Sequence, residues 1–65
     1  MKWKGTRPVK CDLCRRTLEG FFVDGKIASG PWGILCVPCH TMYGVGLGTG
    51  KGQKYRLSDL EKAAG

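Results

Sequence analysis

Two cysteine pairs constrain this chain more than any other feature: Cys11-Asp12-Leu13-Cys14 and Cys36-Val37-Pro38-Cys39, with twenty-one residues between them. The C-x2-C spacing lets two thiolates from one tight turn reach the same ion, and two such turns supply the four ligands of a tetrahedral zinc shell. With 65 residues in all, the chain buries too little apolar surface to offset easily the entropy lost on folding. A metal staple is therefore expected, and Cys11, Cys14, Cys36 and Cys39 are the candidate ligands of one structural Zn2+ ion. Cysteines kept only as buried apolar residues have no reason to recur twice at one spacing. Iron fits the same shell.

Other uses of these residues are weaker. Cys36-Val37-Pro38-Cys39-His40 also reads C-x-x-C-H, the attachment pattern of c-type haem, but that leaves Cys11 and Cys14 without a role. A thioredoxin-like redox pair needs a βαβ frame that a chain of this length does not supply. His40, the only histidine, reads as an imidazole beside the second turn that bonds to backbone, rather than as a ligand or a catalytic base. Four thiolates leave no open position for a reacting water, so a binding protein is expected and not an enzyme.

Eleven basic residues against five acidic ones give a formal net charge of +6. One dication on four thiolates subtracts two, which leaves about +4 on the folded domain. A small basic domain favours acidic partners, nucleic acid first and an acidic protein or membrane surface next, although surplus charge also serves solubility alone. No apolar stretch approaches the roughly 18 residues needed to cross a bilayer. Met1-Lys2-Trp3-Lys4 leads into Gly5 and Thr6 rather than into the apolar region of an export signal. The expectation is a reducing, cytoplasmic compartment in which thiols persist and bind metal.

Along the chain, residues 1–8 read as a basic arm whose tip frays, residues 9–43 as the zinc-binding domain, residues 44–56 as a glycine-rich basic segment and residues 57–65 as a short C-terminal helix. Phe21-Phe22-Val23 and Lys26-Ile27-Ala28 flank Asp24-Gly25, which predicts a β-hairpin turning at that dipeptide. Gly30-Pro31 breaks the chain, and Trp32-Gly33-Ile34-Leu35 reads as a short strand leading into Cys36. His40 to Tyr43 predicts about one helical turn, ended by glycines at 44, 46, 48, 50 and 52. Ser58-Asp59-Leu60-Glu61 has the S-x-x-E form of a capping box and predicts a helix over 59–64. From Ala28 to Gly50 there is no charged side chain, and Trp32, Ile34, Leu35, Val37, Met42, Tyr43, Val45 and Leu47 mark that stretch as core-forming.

The candidate nucleic-acid contacts are Lys10, Arg15 and Arg16 around the first turn and Lys51, Lys54 and Arg56 after the glycines, with Tyr55 or Trp3 stacking on a base. Three readings of the glycine run stand side by side: a backbone that approaches phosphates closely, a flexible linker, or an extended segment with Val45 and Leu47 packed on the core. Gly50-Lys51 is not a P-loop, because position 45 is valine and position 52 glycine. Trp32, Phe21 and Phe22 are expected in the core, with one of the adjacent phenylalanines facing outward. A protein-docking role for the same basic surface, as an adaptor or inhibitor, is the alternative to nucleic acid.

Leu35-Cys36-Val37-Pro38-Cys39-His40 resembles the L-C-x-x-C-H segment of HNH endonucleases, in which the histidine sits on the helix of a ββα-metal site. Those enzymes also use an upstream histidine and an asparagine, and this chain has neither. The resemblance therefore implies a treble-clef arrangement, with the second pair near a helix start, and not the nuclease. From Val9 through Arg56 the chain also resembles small CxxC/CxxC zinc-ribbon and treble-clef proteins of phage and bacterial genomes. That likeness implies a small metal-stabilised domain with a β-hairpin, two zinc knuckles and a short C-terminal helix, in a class that often binds nucleic acid or protein.

Overall fold

A computed structural model describes residues 2–65. Four strands form one antiparallel sheet: β1 (Phe21–Lys26), β2 (Trp32–Leu35), β3 (Gly52–Arg56) and β4 (Lys62–Ala64), in the spatial order β2-β1-β3-β4. One helix, α1 (Val37–Tyr43), follows β2 directly. The first cysteine turn precedes β1, and the second pair opens α1.

The hairpin exists, but it does not turn at Asp24-Gly25. Strand β1 runs straight through that dipeptide, pairing Asp24 with Ile34 and Gln53 and Gly25 with Gly33 and Gly52. Gly25 serves closeness rather than turning: a Cβ there would lie 3.1 Å from a Val23 methyl and 3.2 Å from the Lys51 carbonyl oxygen. The reversal falls at Ile27–Pro31, where the Gly30 N–H donates to Ile27 O (2.9 Å), the Ile27 N–H donates to Pro31 O (2.9 Å) and Gly30 takes a φ of 125°. Only glycine adopts that φ without strain.

Helix α1 begins three residues earlier than the pattern predicts. Cys36 is its N-cap residue and Pro38 stands in the first turn, where a missing N–H costs nothing. The helix stops at Gly44, where any Cβ would collide with the His40 ring.

The predicted C-terminal helix is not formed. Residues 56–60 make a tight turn instead: the Leu60 N–H donates to Arg56 O (2.7 Å), the Arg56 N–H donates to Glu61 O (2.8 Å), and Leu60 has a φ of 62°. Asp59 Oδ1 accepts from the Glu61 N–H (3.1 Å), so the side chain that would have favoured a helix start bends the backbone instead. Arg56 donates to both Asp59 oxygens (3.1 and 2.7 Å) and, with the Glu61 N–H, holds the Asp59 carboxyl down at about 2. Residues 62–64 pair with β3 instead.

The core consists of Cys11, Leu18, Phe22, Val23, Leu35, Cys39 and Tyr55. Phe22 and Tyr55 are cross-strand partners with stacked rings (centroids 5.3 Å apart), and Trp3 meets both edge-on at 5.3 and 5.5 Å. Trp3 is further tied by its N–H to Leu60 O (2.8 Å) and by its indole N–H to Thr6 O (3.0 Å). The basic arm is thus anchored at Trp3, and Met1 lies outside the described residues.

The charge-free stretch is not the core. Within it Leu35 and Cys39 are buried, whereas Trp32, Met42, Tyr43, Val45 and Leu47 are exposed. Trp32, expected inside, stands outside on the edge strand, and of the phenylalanine pair Phe22 is fully buried while Phe21 is only half-buried.

Candidate metal centre

Each cysteine pair is shaped by its own backbone. In the first turn the Arg15 N–H donates to Cys11 O (3.0 Å), the Cys11 N–H donates to Arg16 O (3.0 Å) and the Leu13 N–H donates to the Cys11 sulfur (3.4 Å). Closing the turn puts Arg15 in the left-handed region, φ 64°, directly after Cys14. In the second, Cys36 caps α1 and Cys39 lies in its first turn, with the His40 N–H donating to Cys36 O (2.9 Å).

Asp12 brings the two turns together. Its backbone N–H donates to Ile34 O (2.8 Å) and its Oδ2 accepts from the Ile34 N–H (2.8 Å). The first turn is thereby clamped to the outer edge of β2 at Ile34, two residues before Cys36. A Cβ at Gly33 would lie 3.1 Å from that carboxylate. The cysteine spacing alone assigns Asp12 no role; its place inside the first turn, where an Asp can accept from a backbone N–H, is the signal in the sequence.

The four sulfurs lie within 4.8 Å of one another, and those of Cys14 and Cys36 are 3.7 Å apart. Four thiolates around a zinc ion at about 2.3 Å would stand about 3.8 Å from each other, so the cluster has the size of such a shell. Cys11 and Cys39 are buried, Cys36 is half-buried and Cys14 is exposed. Burial opposes ionisation of Cys11, but the backbone N–H groups of Cys14, Cys36 and Leu13 outweigh it and bring its thiol to about 6. Burial, the neighbouring thiols and the charge on Cys11 push Cys39 up to about 12, and burial also raises Cys36. One thiolate thus suppresses ionisation of its neighbours. A bound cation would reverse that repulsion, taking the place of protons and making all four sulfurs ligands.

The basic candidates fall into two groups. Lys10, Arg15 and Arg16 are exposed around the first turn, and Lys51 is exposed before β3. Lys54 lies with its Nζ 4.5 Å from the centre of the Phe21 ring, and Arg56 is held by Asp59. Tyr55 is 6% exposed, its ring against Phe22 and Trp3, so the stacking role proposed for it is corrected: its faces belong to the core. Trp3 is taken up in the same cluster.

His40 Nε2–H donates to Gly46 O (2.9 Å), which ties the helix to the glycine segment. That segment is folded: Gly46, Gly48 and Gly50 take positive φ values, and Gly48 and Gly52 exchange backbone hydrogen bonds (2.8 and 3.0 Å) before β3 begins. Val45 and Leu47 are 38% and 36% exposed, so they do not pack the segment into the core. Comparison with known protein families, with curated proteins and with solved structures gives no match.

Proposed function

We propose that the domain is a zinc-scaffolded nucleic-acid-binding module of treble-clef type: a first knuckle, a hairpin, and a second cysteine pair opening a helix. The sulfur-only donor set favours zinc among available cations, and four thiolates complete its shell, which supports a structural ion and a binding rather than catalytic role. Persistence of those thiols fits a reducing compartment. No helix among the described residues is long and apolar enough to cross a membrane.

One observation carries the nucleic-acid reading. Lys10, Arg15, Arg16 and Lys51 present their side chains to solvent, while Asp12 is bonded to Ile34, Asp24 is half-buried and Asp59 is paired with Arg56. Positive potential of this kind draws phosphates and releases their counterions on binding. The zinc-loaded protein is expected to bind short oligonucleotides with an affinity that falls steeply with salt. Replacing Lys10, Arg15 and Arg16 together should change the log–log slope by roughly 2 to 3. Absence of binding at low salt, or a slope indifferent to the replacement, sinks the proposal.

A second reading has its own observation. An open groove of about 580 Å³ beside the cysteines is lined by Leu13, Ile27, Ala28, Met42 and Tyr43, with no lysine, arginine or acidic side chain in its wall. Exposed Met and Tyr are enriched at protein interfaces, and this groove favours docking on another protein.

A further inference from the structure

With Tyr55 in the core and Trp3 half-buried, its ring packed edge-on against Phe22 and Tyr55, base stacking falls to the aromatic rings the fold leaves further outside. Trp32 is 52% exposed. It stands on β2 as the cross-strand partner of Lys26, which places the indole and the lysine stem on one face of the sheet, about 5 Å apart at Cβ. On the other side of β1, the Lys26 N–H donates to Lys51 O (2.9 Å), so the backbone of an exposed second lysine lies next in line across the same end of the sheet. A domain this small has use for every aromatic ring it can bury, and it leaves this one in water.

We propose that Trp32 is the base-stacking residue of the domain and that Trp32, Lys26 and Lys51 together form a contact for single-stranded nucleic acid. The inference rests on the nucleic-acid reading above and narrows it. Any base presents a π face to an indole, so the contact is tolerant of sequence, and the ammonium groups in line beyond the indole track the phosphates of the neighbouring nucleotides. Bases within a duplex are already stacked on one another and are closed to Trp32. Duplex binding therefore draws on the phosphate contacts alone.

The test uses the full zinc-loaded chain with a short oligo(dT) strand and a short mixed-sequence duplex at low salt, comparing wild type, Trp32→Ala and Trp32→Phe by fluorescence anisotropy. Trp32→Ala is expected to weaken oligo(dT) binding roughly 5- to 150-fold and duplex binding less than about twofold, and Trp32→Phe to recover most of the loss. Intrinsic emission provides a readout that needs no substitution to fold. Unlabelled oligo(dT) should quench the wild-type protein and affect Trp32→Phe far less, since its remaining indole, Trp3, is half-buried against Phe22 and Tyr55. Equal oligo(dT) affinity of wild type and Trp32→Ala, or absence of quenching on binding, overturns the stacking contact while nucleic-acid binding itself stands. Failure of the wild type to bind either oligonucleotide overturns both readings and assigns the exposed aromatic surface to a protein partner.

Discussion

Residues 9–18 and residues 28–50 make opposite use of the same small sheet. The first segment carries Lys10, Arg15 and Arg16, yet it buries Cys11 completely and Leu18 to 6% exposure, and it is tied down by Asp12 on Ile34 and by the Leu18 N–H on Val9 O (2.8 Å). The second has no charged residue, yet Met42 is 71% and Tyr43 51% exposed. Cysteine geometry and backbone pairing decide what lies inside, because four sulfurs meeting at one point draw both turns inward whatever their neighbours' polarity. Side chains of the uncharged stretch are free to face out because the sheet has already spent its two faces on Phe22, Val23, Leu35 and Tyr55.

The largest break in this comparison is removal of the ion. Chelation at neutral pH should unfold the first turn and the helix together, with a loss of about 10 kcal/mol or more of apparent stability, seen as a collapse of the circular dichroism spectrum. Acid should act in the same direction. A metal ion is held by thiolates and not by thiols, so protonation competes with it, and the stability of the metal-loaded domain should rise with pH and fall as pH drops. A spectrum indifferent to chelator would show that the sheet holds the cysteine turns without metal.

Next in size is the contrast between an enclosed ring and an exposed chain. Phe22→Ala should cost about 3–5 kcal/mol, whereas Met42→Ala should stay within about 0.5 kcal/mol, measured by urea unfolding of the zinc-loaded protein. A large cost at Met42 would mean that the uncharged stretch is packed in solution. Asp12→Ala should cost about 1–2 kcal/mol by freeing the first turn from β2, with weaker zinc retention under competition from a chromogenic chelator. Retention equal to wild type would limit the clamp to the strand edge.

The smallest effect has the opposite sign. Arg15 occupies a left-handed conformation that glycine takes without strain, so Arg15→Gly should raise stability by about 0.5–1 kcal/mol in the same unfolding assay. The same substitution should reduce the salt slope of oligonucleotide binding by about 1. Gain in one assay with loss in the other would identify Arg15 as a residue held for its charge against its backbone preference.

The four-cysteine cluster was legible because coordination dictates spacing, and spacing survives in the sequence whatever the fold does between the pairs. Strand β2 was legible too, bounded by Gly30-Pro31 and Cys36. Asp24-Gly25 misled because the same dipeptide suits a turn and a close strand crossing, and only β3, some thirty residues further on, selects the second. Ser58–Glu61 misled in a related way: its local hydrogen bonds serve a tight turn as well as a helix cap, and pairing with β3 decides between them. Tyr55 looked like a contact because it stands between Lys54 and Arg56, but alternation along a strand sends it to the face opposite its neighbours.

The position of β1 between β2 and β3 also bears on how fast the fold can assemble. Its pairing with β2 closes over a short reversal, while its pairing with β3 must bring Phe21 to Arg56 across the helix and the whole glycine segment. Closing so long a loop costs entropy before any contact rewards it. Tying the two cysteine turns to one ion first would shorten the search, since the hairpin and α1 are then already gathered and only residues 44–52 remain to swing β3 into register. On that account the refolding rate tracks free zinc concentration, and β4, which can pair only once β3 is in place, is the last part of the sheet to form.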